Sequence, residues 1–578
     1  MSMIVPSGIY SDQGSTALRT LFLEHSSWEW LFSFENRDGI FAIHRSFKFN
    51  PLIVQKGGRT ESVRTGFMHH ALQDWEDAEK YALDYPGDRV LQFSPVSKAL
   101  LEIRSQRELL TLEKLYANGV LLGDQSEKGW GIRYTREFDM TNDSKLFPPR
   151  PEWEAKGYRA DEYGHWLKGG WIDYGGPKNI LERERDLVLS ADGQSAIAVR
   201  DIEDVALPLY QGVMIQQFDF SAKGWVSGTG LRARWDEMDW QAKRLAPQFL
   251  MGSEHFRFSS HTRVSHRRMG RTTDTRSVIS AAIPTLPAGD MAPIFDTEDE
   301  IRNLALVAVL NSFAYEYVMR ARLIGTHLDY HVFEQTPLPH HRNSSVLSRT
   351  TVRLNTASSL WAPNWKRVQK SWKKLWAVTP SERLRLKCVS DAVVAAEYSL
   401  TKENFTLIVR ECDYPESVLA DKQFRYSLDS KGFWRVDKEK PPHLRHTVLS
   451  LIAFHELERI GLEAFLALND GEGWMLPETL RLADYGLGHD DRAKEHQPVA
   501  SVLGPRFYDW QLSQSVEESW EECARHAKLL AKIVPQSSPE AATSPAPLAD
   551  APTNLFGDPV PTDLFGNPEF ARPGRKRP

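Results

Sequence analysis

In the stretch Trp28-Glu29-Trp30-Leu31-Phe32-Ser33-Phe34-Glu35, aromatic residues at 28, 30, 32 and 34 alternate with Glu29, Leu31, Ser33 and Glu35. A period of two is that of a strand, whose successive side chains point to opposite faces. Upstream, Ser15 and Thr16 stand where a short helix would be capped, and Ala17, Leu18, Leu21 and Phe22 are its apolar positions. Downstream, Phe47, Phe49 and the run Leu52-Ile53-Val54 predict further strand, which Gly57-Gly58 ends. Residues 1–60 therefore read as α/β.

Further along the chain the pattern changes. Residues 61–205 are mixed and polar, with charged helical stretches at 74–81 and 98–116 and a Trp/Gly/Pro-rich stretch at 148–177. They are expected to be an insertion or linker. Residues 206–345 read as one unit that opens with Leu207-Pro208-Leu209-Tyr210-Gln211-Gly212 and closes with a helix. Thr297 and Glu300 have the spacing of a capping box for that helix, Ile301, Leu304, Ala305, Ala308 and Leu310 are its apolar face, and it is expected to run to Leu323. Residues 346–534 read as mostly helical, with an amphipathic face at Val448, Leu449, Leu451, Ile452, His455 and Leu457 and a second helix at 517–530. Residues 535–578 contain ten prolines, which predicts disorder. The tail repeats a motif, Pro552-Thr553-Asn554-Leu555-Phe556-Gly557-Asp558-Pro559 and then Pro561-Thr562-Asp563-Leu564-Phe565-Gly566-Asn567-Pro568.

With 578 residues, 41% of them hydrophobic, and 18 tryptophans, the chain can bury large cores. No apolar run is long enough to cross a bilayer, and Met1 to Pro6 has the character of no secretion signal. Cys388, Cys412 and Cys523 form neither a CxxC pair nor a zinc spacing, as suits a reducing cytoplasm. The net charge of −6 excludes a uniformly basic nucleic-acid coat, so DNA binding would have to come from a local cluster.

One such cluster runs from His255 to Arg276. It holds Arg257, Arg263, Arg267, Arg268, Arg271 and Arg276, three histidines, no lysine and a single acid, Asp274. The arginine fork binds phosphate or guanine O6/N7 bidentately, which lysine does not. These six arginines are the candidate DNA-binding residues; the alternative is a solvated basic face or a site for an acidic protein. A second cluster places Trp361, Trp365, Trp372 and Trp376 at spacings of four, seven and four beside Lys366, Arg367, Lys370, Lys373 and Lys374. On a helix this is one face, read as core with a basic rim in preference to a base-stacking platform.

Signatures of other chemistry are weak. Gly228-Thr229-Gly230 is a lone GxG that follows no hydrophobic strand, and neither a P-loop nor a GxSxG elbow occurs. Glu154-Ala155-Lys156, with Asp139 or Asp143 upstream, fits the ExK part of a metal-dependent nuclease signature, but without strand context. His255, His261 and His266 do not have zinc-ligand spacing.

Several segments resemble, in order, the C-terminal half of large adenine-specific DNA methyltransferases of the type IIG restriction–modification kind and of related phage-defence methylases. Ile4 to Ile9 and Asp12 to Leu23 are similar to the piece after the family's catalytic loop strand. Phe34 to Phe41 and Phe47 to Gly57 are similar to its final sheet strands. Leu207 to Ile215 resembles the entry to its target-recognition domain, Thr272 to Pro284 an Arg/Thr stretch inside it, and Leu310 to Phe313 with Gly325 to Leu328 and Thr336 to Pro339 its closing helix and exit.

The resemblance implies a fold class: an α/β fragment, the C-terminal strands of a Rossmann-like methyltransferase, then an α+β target-recognition domain and a mostly α C-terminal domain. It implies methyl transfer from S-adenosylmethionine to N6 of a flipped adenine. The family's FxGxG cofactor motif, its N-P-P-Y/F loop and its upstream nuclease segment are absent; Asn50-Pro51-Leu52 comes nearest to the loop and lacks the second proline and the aromatic. An open parallel sheet needs its first strands and covering helices. A partner chain carrying the missing half is the simpler expectation, and a truncated product the other. No catalytic, cofactor-binding or metal residue is assigned in this chain. S-adenosylmethionine is expected on the partner, and double-stranded DNA and that catalytic subunit are the expected partners. The alternatives are a catalytically inactive DNA- or protein-binding module of an antiviral complex and an independent nuclease using Glu154 and Lys156.

Overall fold

Strand Ser26–Glu35 is the middle strand of a five-stranded sheet in a computed structural model that describes residues 1–45, 47–173, 186–259, 261–340, 345–477 and 503–534. The order is Ser2–Pro6, Lys48–Lys56, Ser26–Glu35, Ser62–His69, Leu83–Pro86. Only the pairing of Ser26–Glu35 with Ser62–His69 is parallel. The expected single face of aromatics is divided. The register shifts between Trp28 and Trp30, and such a bulge turns the residues beyond it to the other side. Trp28 and Leu31 enter the main core, whereas Phe32 and Phe34 join Phe49 in a separate cluster. Gly66 allows the close parallel neighbour: a Cβ there would lie 2.3 Å from the Phe32 ring.

Helix Thr16–His25 follows Ser15, whose side chain makes no cap hydrogen bond. The helix is fixed by Arg19, fully buried, which donates to the carbonyls of Ile9 (2.9 Å), Asp12 (2.8 Å) and Ser97 (2.6 Å). On its outer side Leu18 and Leu21 are exposed, as are Met3 and Ile4 on the edge strand.

The region expected to be an insertion or linker contributes strands from residues 61–173 and 186–205 to several sheets. Ser62–His69 and Leu83–Pro86 complete the first sheet, so the boundary at residue 60 falls between paired strands. Gly119–Leu121 pairs with Pro337–Pro339, Arg133–Thr135 with Ile294–Asp296, and Trp166–Gly169 with Ile202–Pro208. Pairing across such sequence separations leaves no local period to read.

The arginine cluster lies on an antiparallel sheet of order Ser280–Ile283, Arg263–His266, Ile294–Asp296, Arg133–Thr135. Helix Glu300–Leu310 packs behind it with Leu304 to Leu310 all buried. Its cap is Asp299, whose carboxylate accepts from Arg302 N at 2.8 Å, in place of the expected capping box. Thr297 Oγ1 bonds Asn303 instead, and Glu300 turns to accept from Thr262 N. The helix does not run to Leu323. Asn311 leaves it to bond both backbone groups of Ser280, and Ser312 caps a new helix, Phe313–Arg322.

From Ser345 onward the described residues form helices and no strands. Pro380–Glu397 packs on His446–Ile460 and on Ser345–Asn355. The tryptophan face is not one helix, because Ala362–Val368 stops before Gln369. Even so Trp361, Trp365 and Trp372 are completely buried, which agrees with core. One continuous apolar cluster reaches from Ile9 to Val534. Among the described residues no helix is long and apolar enough to cross a membrane. The proline-rich tail at 535–578 and its repeat lie outside the described residues.

Candidate nucleic-acid interface

The six arginines divide by environment. Arg263, on the strand Arg263–His266, is buried; it pairs with Glu137, donates to the Leu286 carbonyl and lies over the Phe256 ring at 5.3 Å. Arg276 donates through Nε to buried Glu316 at 2.6 Å and lies 4.4 Å from the Phe313 ring centre. These two side chains are spent inside the protein. Their assignment as DNA contacts is therefore set aside: both guanidinium groups are committed to internal partners.

Arg267, Arg268 and Arg271 come together where the chain leaves the strand. Arg268 is held by Asp329 at 2.7 Å and Asp290 at 3.2 Å, and the bond to Asp329 raises its guanidinium above its ordinary value. Arg267 is half-buried and donates through Nε to the Ile215 carbonyl at 2.7 Å. Burial lowers its pKa. Arg271 is exposed at the start of a tight turn, its backbone N–H donating to the Asp274 carboxylate at 2.9 Å. Arg257 is exposed on the preceding segment. Among the described residues no acidic side chain pairs with Arg257, Arg267 or Arg271. Thr272, Thr273 and Thr275 complete the turn with partly or fully exposed side chains.

This loop is clamped at both ends. On one side Gly270 N donates to the Thr326 carbonyl at 3.1 Å, and Leu328 N to the Arg268 carbonyl at 2.8 Å. A Cβ at Gly270 would meet the Ser277 carbonyl at 2.4 Å, so the close return of the chain requires glycine. On the other side Glu316, fully buried, accepts Ser277 N at 2.6 Å together with Arg276 and Arg320. Burial raises its carboxyl, but the two arginines outweigh burial and leave it below the usual carboxylate range. Arg320 then donates to the carbonyls of Asp274 and Thr275 and to those of Lys431 and Gly432. Arg435 sits in the same neighbourhood, over the Trp434 ring at 4.0 Å, lowered to about 10 chiefly by burial. Arg435, isolated in the sequence between Trp434 and Val436, carried no cluster signal.

No family model matches the chain, and no curated protein matches it. Solved structures similar to it include the type IIL restriction-modification enzyme MmeI in complex with DNA, at 8% identity and a TM-score of 0.31 over 69% of this chain and 47% of that one. Another is the type IIG restriction endonuclease BpuSI, at 11% identity and a TM-score of 0.22 over 70% of this chain and 47% of that one. The chain thus spans about half the length of these two.

The weaker candidates are placed as well. Gly228-Thr229-Gly230 begins the tip between paired strands Lys223–Ser227 and Arg234–Glu237, beside fully exposed Leu231. The tip holds only the single 3-10 turn Gly230–Arg232 and no α-helix whose N-terminus could receive a cofactor, so these residues do not fit S-adenosylmethionine. Glu154 lies on helix Arg150–Ala155 and pairs with Arg150, while the Asp139 and Asp143 carboxylates accept backbone N–H groups of their own loop. The nuclease triplet is not assembled. Among the described residues no group of three or more His, Cys, Asp or Glu side chains could hold a metal ion. His266 is a core residue, completely buried and stacked on Phe295 at 4.9 Å; His261 pairs with Asp296.

Proposed function

We propose that the chain is the DNA-recognition portion of an adenine-N6 methyltransferase of a restriction–modification or phage-defence system, and that the loop 267–276 meets the duplex. The observation that carries this is a rigidly clamped, solvent-facing loop on which Arg271 stands exposed with no acid paired to it among the described residues. A loop with its backbone clamped loses little further main-chain freedom when a side chain on it takes up a phosphate or a base edge. The ordered likeness of segments between residues 4 and 345 to the adenine methyltransferases supplies the reaction, with the first strands as the end of a methyltransferase sheet.

S-adenosylmethionine and the N-P-P-Y/F loop belong, in this reading, to a catalytic subunit. Exposed Met3 and Ile4 on the edge strand and Leu18 and Leu21 on the helix beside the sheet supply apolar surface for such a subunit. The test is a duplex-binding titration of the purified chain at several salt concentrations, with Arg271→Ala as the control. Loss of affinity with a shallower salt slope supports the reading, and binding that ignores Arg271 opposes it.

A further inference from the structure

A cavity of about 170 Å³ opens between the arginine-bearing sheet and the last helix, Val516–Ile533. Phe258, Leu286, Leu360 and Leu530 form its apolar wall. Arg367, His165 and His261 form the polar side, each paired from behind with a carboxylate, Glu300, Asp161 and Asp296 respectively. Burial would lower His261, but its bond to Asp296 outweighs burial and raises it. An apolar cavity of about 150 Å³ accepts a benzene ring. This one, at about 170 Å³, therefore matches a single phenyl group.

The last described residue, Val534, also lines the cavity, and residues 535–578 continue from it. Those residues contain the repeated motif whose Leu555-Phe556 and Leu564-Phe565 pairs are its apolar residues, followed by Asp558 and preceded by Asp563 respectively. We propose that this cavity is the docking site for the chain's own C-terminal repeat, with Phe556 or Phe565 as the ring it holds. Ring size and the point of departure of the chain agree. Residues 535–554 separate Val534 from the first pair in sequence, and the cost of bringing two points of a chain together grows only logarithmically with their separation. Two copies raise the local concentration of the same key at one lock. The inference stands independently of the DNA reading.

The experiment uses the full chain, wild type and Phe556→Ala/Phe565→Ala. Hydrogen exchange is followed at 258–259, 284–286 and 527–534. Slower exchange of these segments in the wild type than in the double variant is expected. A labelled peptide of residues 552–568 is then titrated into both. It should bind the double variant, restore protection of the same segments, and bind the wild type about tenfold more weakly because a tethered tail at roughly millimolar effective concentration competes. Identical exchange in the two chains, or a peptide that binds neither or binds both equally, overturns the proposal and leaves the cavity to a partner's peptide or a small molecule.

Discussion

Arg276 Nε lies 2.6 Å from the Glu316 carboxylate, and Glu316 has no exposed surface. Forty residues separate them in sequence, yet this pair decides where the exposed loop stands. Replacing Glu316 with Gln would keep the side chain's shape and leave Arg276 and Arg320 buried without their counter-charge. Such a loss costs about 3–5 kcal/mol. The midpoint of urea unfolding should fall accordingly in Glu316→Gln, with DNA affinity falling alongside it. An unchanged midpoint would show that the pair does not hold the loop.

A second buried carboxylate organises the helical part. Glu382 is fully buried among Arg385 (2.6 Å), Arg353 (2.7 Å) and Arg506 (2.9 Å). Burial raises its carboxyl, but the arginines outweigh burial and bring it down to about 2. A carboxylate depressed in the folded state contributes stability above its unfolded value, near 4.5, and loses it as pH falls toward 2. Glu382→Gln should destabilise the chain by about 3–5 kcal/mol at neutral pH. It should also flatten the loss of stability between pH 4.5 and 2, which denaturant titrations at each pH would read.

His266 gives a pH dependence of its own. Its Nε2–H donates to the Leu328 carbonyl at 3.1 Å, and Nδ1 is buried without a partner, so protonation would strand a charge in the core. Burial lowers it to about 4 from an ordinary 6.5. The neutral ring is favoured by folding, so its contribution is complete above pH 6.5 and is lost as pH falls to 4. The shift corresponds to about 3 kcal/mol. His266→Phe, which keeps a ring against Phe295, should lose less melting temperature between pH 7 and 5 than the wild type does, the remaining loss coming from His446, which burial also lowers. The wild-type melting temperature should fall over that interval, and parallel curves would exclude His266 as the source.

How much of this was legible in the sequence depends on the range of the interaction. Local periodicity located the strand at 26–35 and the helices His446–Ile460 and Val516–Ile533. It missed the bulge that sends Phe32 and Phe34 away from Trp28, because a bulge is a property of pairing. It ran the helix through Asn311, whose side chain binds Ser280 in a neighbouring strand. The arginine cluster was visible, but its division was not. The acids that take up Arg263, Arg268 and Arg276 are Glu137, Asp290, Asp329 and Glu316, and three of these four lie at least forty residues away.

Arg263→Ala separates the two kinds of arginine. It leaves Glu137 with the Ala288 N–H but without its counter-charge, and the Leu286 carbonyl without its Arg263 donor. Unfolding should occur at lower urea by about 2–4 kcal/mol, in the range for breaking a buried hydrogen-bonded pair. Arg271→Ala removes an exposed side chain and should change stability by less than about 0.5 kcal/mol. Equal stability losses in the two variants would mean that Arg271 is also structural.

The salt dependence of duplex DNA binding in wild type and Arg271→Ala, both confirmed folded, reads most directly whether the loop 267–276 meets DNA. If the loop 267–276 meets DNA, the variant binds more weakly and the slope of log affinity against log salt becomes shallower by about one. Identical affinity and identical slope in the two proteins would contradict it.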